Sequence, residues 1–238
     1  MKRTIRLTAL VALVAGLALA SCQKEDNNSS TASNGGNNGG GGNIPAGWVD
    51  LGLPSGLLWA ECNLGANAPE EYGNYYAWGE TTTKEVYDWS TYAYGNASTA
   101  LTKYCNDAAY GLNGFTDNLT TLQAMDDAAT QALGNGARTP TKEEWQELIN
   151  NTTVESATMN GVSGRKFTAA NGNSLFLPAA GYRHGSEFGF ATTWGYYWSS
   201  SLESPYSASI FYIRPVDDQH MRVHDRCYGG SVRAVRQK

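Results

Sequence analysis

The positions of hydrophobic and polar residues predict two short helices in the middle of the chain. The clearer one begins with Thr141 and Glu144, which match the S/T-x-x-E capping box. Three apolar residues then fall on one helical face at i, i+3 and i+4: Trp145, Leu148 and Ile149. Residues 126–134 predict a second helix, because acids stand at its positive N-terminal end and Gly134 stops it.

Short apolar or alternating segments predict strands on both sides of these helices. Residues 49–60 predict two strands around a Pro-Ser-Gly turn, since proline sets one turn dihedral and glycine supplies the other. An Asn-Gly-Asn turn at 171–173 predicts a hairpin between 165–168 and 174–178. Further predicted strands are 74–80, 195–201, 209–213, 220–225 and 231–236.

Residues 81–118 are polar, rich in tyrosine and without a sustained hydrophobic period. We expect a long insertion there with little regular structure, of the kind that is usually functional or held by a ligand. Two central helices with many short strands around them predict an α+β fold.

The composition narrows the classes of function. The 238 residues carry 17 Lys and Arg against 22 Asp and Glu, a formal net charge of −5, which excludes a basic nucleic-acid-binding protein. Charged residues make up 16%, below the roughly 25% of an average domain, whereas 41% hydrophobic residues support a real core. Tyr, Ser, Thr, Asn and Gly must therefore form much of the surface, and these residue types suit adaptable binding.

The first 21 residues have the features of a signal peptide. A basic start is followed by an almost wholly apolar run at 7–20, which is too short for a comfortable membrane span. The run ends in Leu19-Ala20-Ser21-Cys22, which resembles the lipobox of bacterial lipoproteins. We therefore expect cleavage after residue 21, lipidation of Cys22 and attachment to a membrane through the lipid anchor only.

Residues 22–43 predict a flexible Gly/Asn/Ser tether, because 27–43 contain no apolar side chain larger than alanine. Residues 23–26 (Gln-Lys-Glu-Asp) resemble the export signal of some Gram-negative lipoproteins, which favours the outer membrane and exposure at the cell surface; the alternative is an ordinary linker. Loss of three signal-peptide bases leaves 14 bases against 22 acids, a net charge of −8. A single domain is expected over 44–238.

The order of motifs resembles a known bacterial family. The motifs are VDLGLPSGLLWAECNLGA from Val49, DDAA from Asp126, RTPTKEEW from Arg138, LPAAGYR from Leu177, GYYWSSS from Gly195 and G-x-SVRAVR from Gly229. In this order the chain resembles the Fibrobacter succinogenes major paralogous domain family, and more distantly the C-type-lectin-like fold of the formylglycine-generating-enzyme type. The resemblance implies two central helices around a twisted, mostly antiparallel β-core.

The sequence favours a protein without catalytic activity. It contains no hydrolase elbow, P-loop, dinucleotide fingerprint or HExxH motif, and the serines at 199–201 have no adjacent histidine or acid. Besides Cys22 there are Cys62, Cys105 and Cys227, which allow at most one disulfide among themselves. Formylglycine-generating enzymes use a pair of copper-binding cysteines near the C-terminus, where this chain has only Cys227, so that activity is not expected.

The late histidines favour recognition over metal binding. Alternation over 218–226 predicts a strand on which five polar side chains share one face: Asp218, His220, Arg222, His224 and Arg226. Two arginines beside the histidines disfavour a metal there. No cofactor is expected, but four acids near the insertion could hold a structural Ca²⁺, with helix capping as the alternative for the last two: Asp107, Asp117, Asp126 and Asp127.

The closing segment also resembles the variable surface of lipoproteins that diversity-generating retroelements modify. The resemblance lies in GYYWSSS, Arg226-Cys227 and 229–233. It implies that seven residues between these anchors can be varied, with a fixed surface as the alternative: Asp218, His220, Arg222, Val223, His224, Asp225 and Tyr228.

These observations predict a surface-displayed lipoprotein that binds an extracellular protein or glycan through residues 185–187, 205–214 and 218–228. The predicted ligand-binding set adds four residues to the seven above: Tyr206, Phe211, Tyr212 and Arg214. Two alternatives remain, an extracellular enzyme of unknown type and a structural component of the cell envelope without a discrete ligand.

Overall fold

The computed structural model describes residues 44–214, 216 and 218–238. The predicted signal peptide (1–21), the lipidation site Cys22 and the tether (22–43) lie outside these residues. Helix α1 spans Ala128–Leu133 and helix α2 spans Lys142–Asn150. No helix in the described part of the chain is long and apolar enough to cross a membrane.

Both helices begin as the capping pattern predicts. The carboxylate of Asp127 accepts hydrogen bonds from Ala129 N and Thr130 N in the first turn of α1, at 2.9 and 3.2 Å. At α2, the Thr141 hydroxyl accepts from Glu144 N at 3.2 Å, and the Glu144 carboxylate accepts from Thr141 N at 2.8 Å. Trp145 and Leu148 are fully buried, so the amphipathic face of α2 is confirmed.

Eleven strands form four small sheets within the described residues, and every strand pair is antiparallel. The sheet orders are β1-β2-β11, β3-β4-β5, β6-β7 and β10-β9-β8. The strands are β1 Trp48–Asp50, β2 Leu58–Ala60, β3 Thr152–Met159, β4 Val162–Ala169, β5 Ser174–Pro178, β6 Tyr182–His184, β7 Glu187–Gly189, β8 Gly195–Ser204, β9 Ser207–Arg214, β10 Asp218–Asp225 and β11 Val235–Arg236. The α+β prediction is confirmed.

Two strand predictions need correction, and three strands were not predicted: β3, β6 and β7. Residues 74–80 form no strand, and only an isolated bridge joins Tyr76 to Gly230. Of 231–236, only the last two residues are a regular strand. Strand β3 was not predicted, because its polar sequence TTVESATM has no buried side chain to mark it.

The sheet β10-β9-β8 separates two aromatic cores. On one face, Phe211 and Ile213 of β9 pack with Trp145 of α2, and the Phe211 and Trp145 rings are stacked with centroids 4.7 Å apart. On the other face, Tyr212 and Trp198 belong to a second cluster. Alternation along β9 thus sends successive aromatic side chains into different layers.

The long insertion at 81–118 has only two three-residue 3₁₀ helices, as predicted. Arg226 connects this insertion to the end of β10. Its side chain is fully buried and donates hydrogen bonds to the carbonyl oxygens of Tyr104 and Lys103 at 2.7 and 2.6 Å. The guanidinium also lies over the ring of Tyr92, 5.3 Å from its centroid. The prediction that Arg226 shares the exposed face of β10 is therefore wrong, because the chain turns inward after Asp225.

Cys105 and Cys227 are both buried and free, so no disulfide joins them. The Cys105 thiol donates to the carbonyl of Asp107 at 3.1 Å. Burial, with the nearby Asp225 carboxylate as a smaller cause, raises the pKa of Cys227 to about 12. Such a thiol is unreactive at neutral pH.

Candidate functional site

One face of β10 carries a connected row of polar side chains. The register places Asp218 opposite Arg214 of β9 and His220 opposite Tyr212. The predicted alternation holds for four residues, whose contacts all lie on the Tyr212 side of the sheet: Asp218, His220, Arg222 and His224. Because β9 and β10 are long and regular, this row has a defined geometry.

The row is held by two hydrogen bonds on a single imidazole. His220 Nδ1 lies 2.7 Å from Asp218 Oδ1, and Arg222 Nε donates to His220 Nε2 at 2.6 Å. An arginine nitrogen can only donate, so Nε2 is the acceptor and the proton of neutral His220 is on Nδ1, directed at Asp218. The guanidinium of Arg222 lies over Tyr212, 4.0 Å from the ring centroid. Arg222 is thereby oriented while it stays exposed.

Beside this row, His224 sits within an aromatic cluster. Its ring centroid lies 4.7 Å from Tyr228, 5.1 Å from Tyr182 and 5.4 Å from Tyr196. His184 contacts Tyr228 from the other side, with centroids 4.4 Å apart. Burial, with the charge of His184 as a smaller cause, lowers the pKa of His224 to about 4. His224 is therefore neutral at physiological pH.

The cluster continues into exposed rings on neighbouring loops. Phe190 and Trp194 are stacked with centroids 3.8 Å apart, and Arg214 lies 5.9 Å from the Trp194 centroid. Phe190 is 46% exposed. Phe188 of β7 is 41% exposed, but it packs with Tyr75 and Arg183 on the opposite face of the β6-β7 hairpin. Both Phe190 and Thr192 have left-handed backbone angles, with φ of 57° and 68°, which is unusual for these residue types. The loop between β7 and β8 is held in a strained shape.

We define the late aromatic surface by this row, the cluster and the stacked rings: Tyr182, His184, Phe190, Trp194, Arg214, Asp218, His220, Arg222, His224 and Tyr228. The sequence predictions named six of these ten residues. They missed the part contributed by β6 and the 190–194 loop, where the aromatic residues Phe190 and Trp194 were the available signal.

Several predicted binding residues lie elsewhere. The prediction that Phe211 binds the ligand is wrong, because its side chain is fully buried against α2 and cannot contact a ligand. Tyr212 is also buried, and Arg222 covers its ring. Tyr206 is 37% exposed, but it lies in the turn before β9 and packs on Tyr110, with ring centroids 5.5 Å apart.

Two predicted residues flank the row on β10. Val223 is 56% exposed and points away from the row. Asp225 ends the strand half-buried, and burial raises its pKa.

The four acids considered for calcium already accept hydrogen bonds from the protein. Asp126 pairs with Lys103 at 2.6 Å and with the Tyr94 hydroxyl at 2.7 Å, so it does not cap α1 as expected. Asp127 caps α1, Asp117 accepts from three backbone amides, and Asp107 closes a local turn. No group of three or more potential metal ligands occurs among the described residues.

We expect that removal of divalent cations leaves the stability of the protein unchanged. The hydrogen-bond donors around these carboxylates take the place that a cation would occupy. Thermal unfolding with EDTA, and again with excess CaCl₂, should give the same Tm. A lower Tm in EDTA that recovers with Ca²⁺, but not with Mg²⁺, would contradict this.

Comparison of the chain with protein-family models, with curated proteins and with solved structures gives no significant match.

Proposed function

We propose that this protein binds an extracellular protein or glycan through the late aromatic surface. The supporting observation is the combination of exposed rings with oriented polar groups on a rigid sheet. Phe190 and Trp194 offer apolar area, while Arg222 and His184 of the same surface offer hydrogen-bond donors. Aromatic and arginine side chains of this kind dominate binding energies at recognition surfaces.

The setting of this surface is also part of the proposal. The domain is a C-type-lectin-like member of the major paralogous domain family, and it is displayed on the outer membrane by the lipid on Cys22. The two capped helices and the antiparallel sheets support that fold, and the lipobox and tether sequences support the anchoring. The proposed function is binding without catalysis.

Diversification of the surface by a retroelement is a further part of the proposal. Of the seven residues concerned, Arg222 and Val223 are exposed and the other five are half-buried. Substitution at the two exposed positions costs little stability, because such side chains make few packed contacts. His224 and Tyr228 pack on each other and on Tyr182, so substitution there costs more. A reverse-transcriptase gene and a matching adenine-rich repeat beside the gene for this protein would support diversification. The absence of both would contradict it.

The proposed surface can be tested with the triple variant Phe190→Ala, Arg222→Ala and Tyr228→Ala. Glycan arrays, arrays of secreted proteins and whole cells would first identify a ligand of the wild-type protein. We expect the triple variant to bind that ligand at least about thirtyfold more weakly, as for hot-spot residues worth about 2 kcal/mol.

A matched control removes exposed side chains from β3, which lies in a different sheet: Thr153→Ala and Thr158→Ala. This variant should bind like the wild-type protein. Equal affinities of the triple variant and the wild-type protein would show that the ligand binds elsewhere.

A further inference from the structure

The two edges of the sheet β10-β9-β8 differ sharply in how they are covered. Along β8, backbone atoms of Ser231, Pro140 and Thr120 form hydrogen bonds with the outer side of the strand at 2.7 to 3.0 Å. Along β10, no backbone group on the outer side between Asp218 and His224 has a hydrogen-bond partner among the described residues. Strand β10 therefore ends the sheet with open hydrogen-bonding positions.

An open edge of this length is a template for another strand. The usual protections are a proline, a bulge, a covering segment or charges of one sign. Strand β10 has eight regular residues without proline, pairs with β9 without a register shift, and carries charges of both signs. Its side chains project above and below the sheet, so the edge itself is formed by backbone. An incoming strand would extend the sheet and lie beside the row of polar side chains.

The sequence of β10 is complementary to itself when two copies are antiparallel. Alternate residues of an edge strand direct their backbone groups outward. Two identical edges can therefore pair even-numbered residues only with even-numbered ones, and odd-numbered residues only with odd-numbered ones. Asp218 then faces Arg222 of the second copy, and Arg222 faces Asp218, with His220 at the twofold axis. Opposite charges directly across an antiparallel pair are stabilising.

Neighbouring registers are less favourable. A shift by one pair places His220 opposite Arg222 of the second copy, which gives no charge complementarity at that position. A further shift places Arg222 opposite Arg222, and like charges across a strand pair are destabilising. A shift in the other direction places Asp218 opposite His220 and leaves Arg222 without an acidic partner. Only the register centred on His220 pairs Asp218 with Arg222 twice, so the pattern Asp-x-His-x-Arg favours that register.

We propose that β10 is a self-association surface, which pairs with β10 of a second copy of this chain to give a six-stranded sheet around a twofold axis. Such a contact is isologous and closed, so it gives a dimer and not a fibre. The inference does not rest on the proposed ligand. Because the paired segment is short, the dimer is weak, in the range of transient interfaces.

The test uses the purified full-length chain and two charge variants, Asp218→Arg and Arg222→Asp. Sedimentation velocity over a series of concentrations should show a monomer–dimer equilibrium for the wild-type protein. Each variant alone places like charges opposite one another twice, so its dimer dissociation constant should rise roughly tenfold or more. Circular dichroism and thermal unfolding establish that both variants are folded.

The decisive measurement is an equimolar mixture of the two variants. Positions 218 and 222 are both basic in the first variant and both acidic in the second. In the proposed register each basic position faces an acidic one, so the mixture should form a heterodimer about as well as the wild-type protein forms its homodimer.

Three results would overturn the proposal: a wild-type protein that stays monomeric, single variants that dimerise unchanged, or a mixture that does not associate. Strand β3 is the matched control edge, because it also ends a sheet. The substitution Glu155→Arg there should leave dimerisation unchanged.

Discussion

Replacement of Arg226 by alanine is expected to lower the free energy of unfolding by about 3 to 5 kcal/mol. The guanidinium is fully buried, and it satisfies the carbonyl oxygens of Tyr104 and Lys103 within the long insertion. Its removal leaves two carbonyls without donors, at about 1 to 3 kcal/mol for each buried group, and opens a cavity beside Trp78 and Tyr92. Urea unfolding measures the loss.

The same variant should release the insertion before the rest of the domain unfolds. The contacts of Arg226 join the end of β10 to residues 103–104, so limited proteolysis should cut the variant within 81–118 under conditions in which the wild-type protein is intact. Arg222→Ala is the matched control, because that arginine is exposed and its loss should change stability by less than about 1 kcal/mol. Equal losses in both variants would refute the role assigned to Arg226.

The elements that were predicted correctly are those whose local sequence specifies them. The capping box of Thr141 and Glu144, the cap of Asp127 and the turn at 171–173 act within a few residues, and each forms as expected. Strand β3 carries no such signal, since its partner β4 supplies the register and its side chains are exposed or only half-buried. The aromatic segment 74–80 has strand composition, but its bonds go to separate segments and form no ladder.

The binding surface could be predicted only in part, for a reason that Phe211 and Tyr212 illustrate. Alternation along β9 shows that these neighbours face opposite sides of a sheet. It cannot show that α2 and Trp145 cover one side while Arg222 covers the other. Similarly, the sequence of β10 predicts which of its side chains share a face. It does not predict that Tyr182 of β6 and Trp194 of the 190–194 loop approach that face, because this depends on the tertiary fold. Sequence thus locates the strand and leaves its surroundings undetermined.

Acidification from pH 7 to pH 4 is expected to remove up to about 3 kcal/mol of stability through His224. Its folded pKa is about 4, below the ordinary value of 6.5, because its ring is packed among tyrosines and lies near His184. Between these two pH values His224 is protonated in the unfolded chain but neutral in the folded protein. The contribution of His224 to the free energy of unfolding is therefore fully present above pH 6.5 and is lost as the pH falls toward 4. Urea unfolding at a series of pH values measures this dependence.

The substitution His224→Gln should flatten this part of the pH profile, because glutamine fills a similar volume without a titrating group. His220→Gln is the matched control and should keep the acid-dependent loss of stability, since it leaves the cluster of Tyr182, Tyr196 and Tyr228 around His224 intact.

Asp225 acts in the opposite direction: burial raises its folded pKa, so its contribution to stability is present at low pH and is lost as the pH rises. Because Asp225 is retained in both variants, the difference between their profiles isolates His224. An unchanged slope in His224→Gln would assign the acid sensitivity to other groups and would show that protonated His224 is accommodated in the folded cluster.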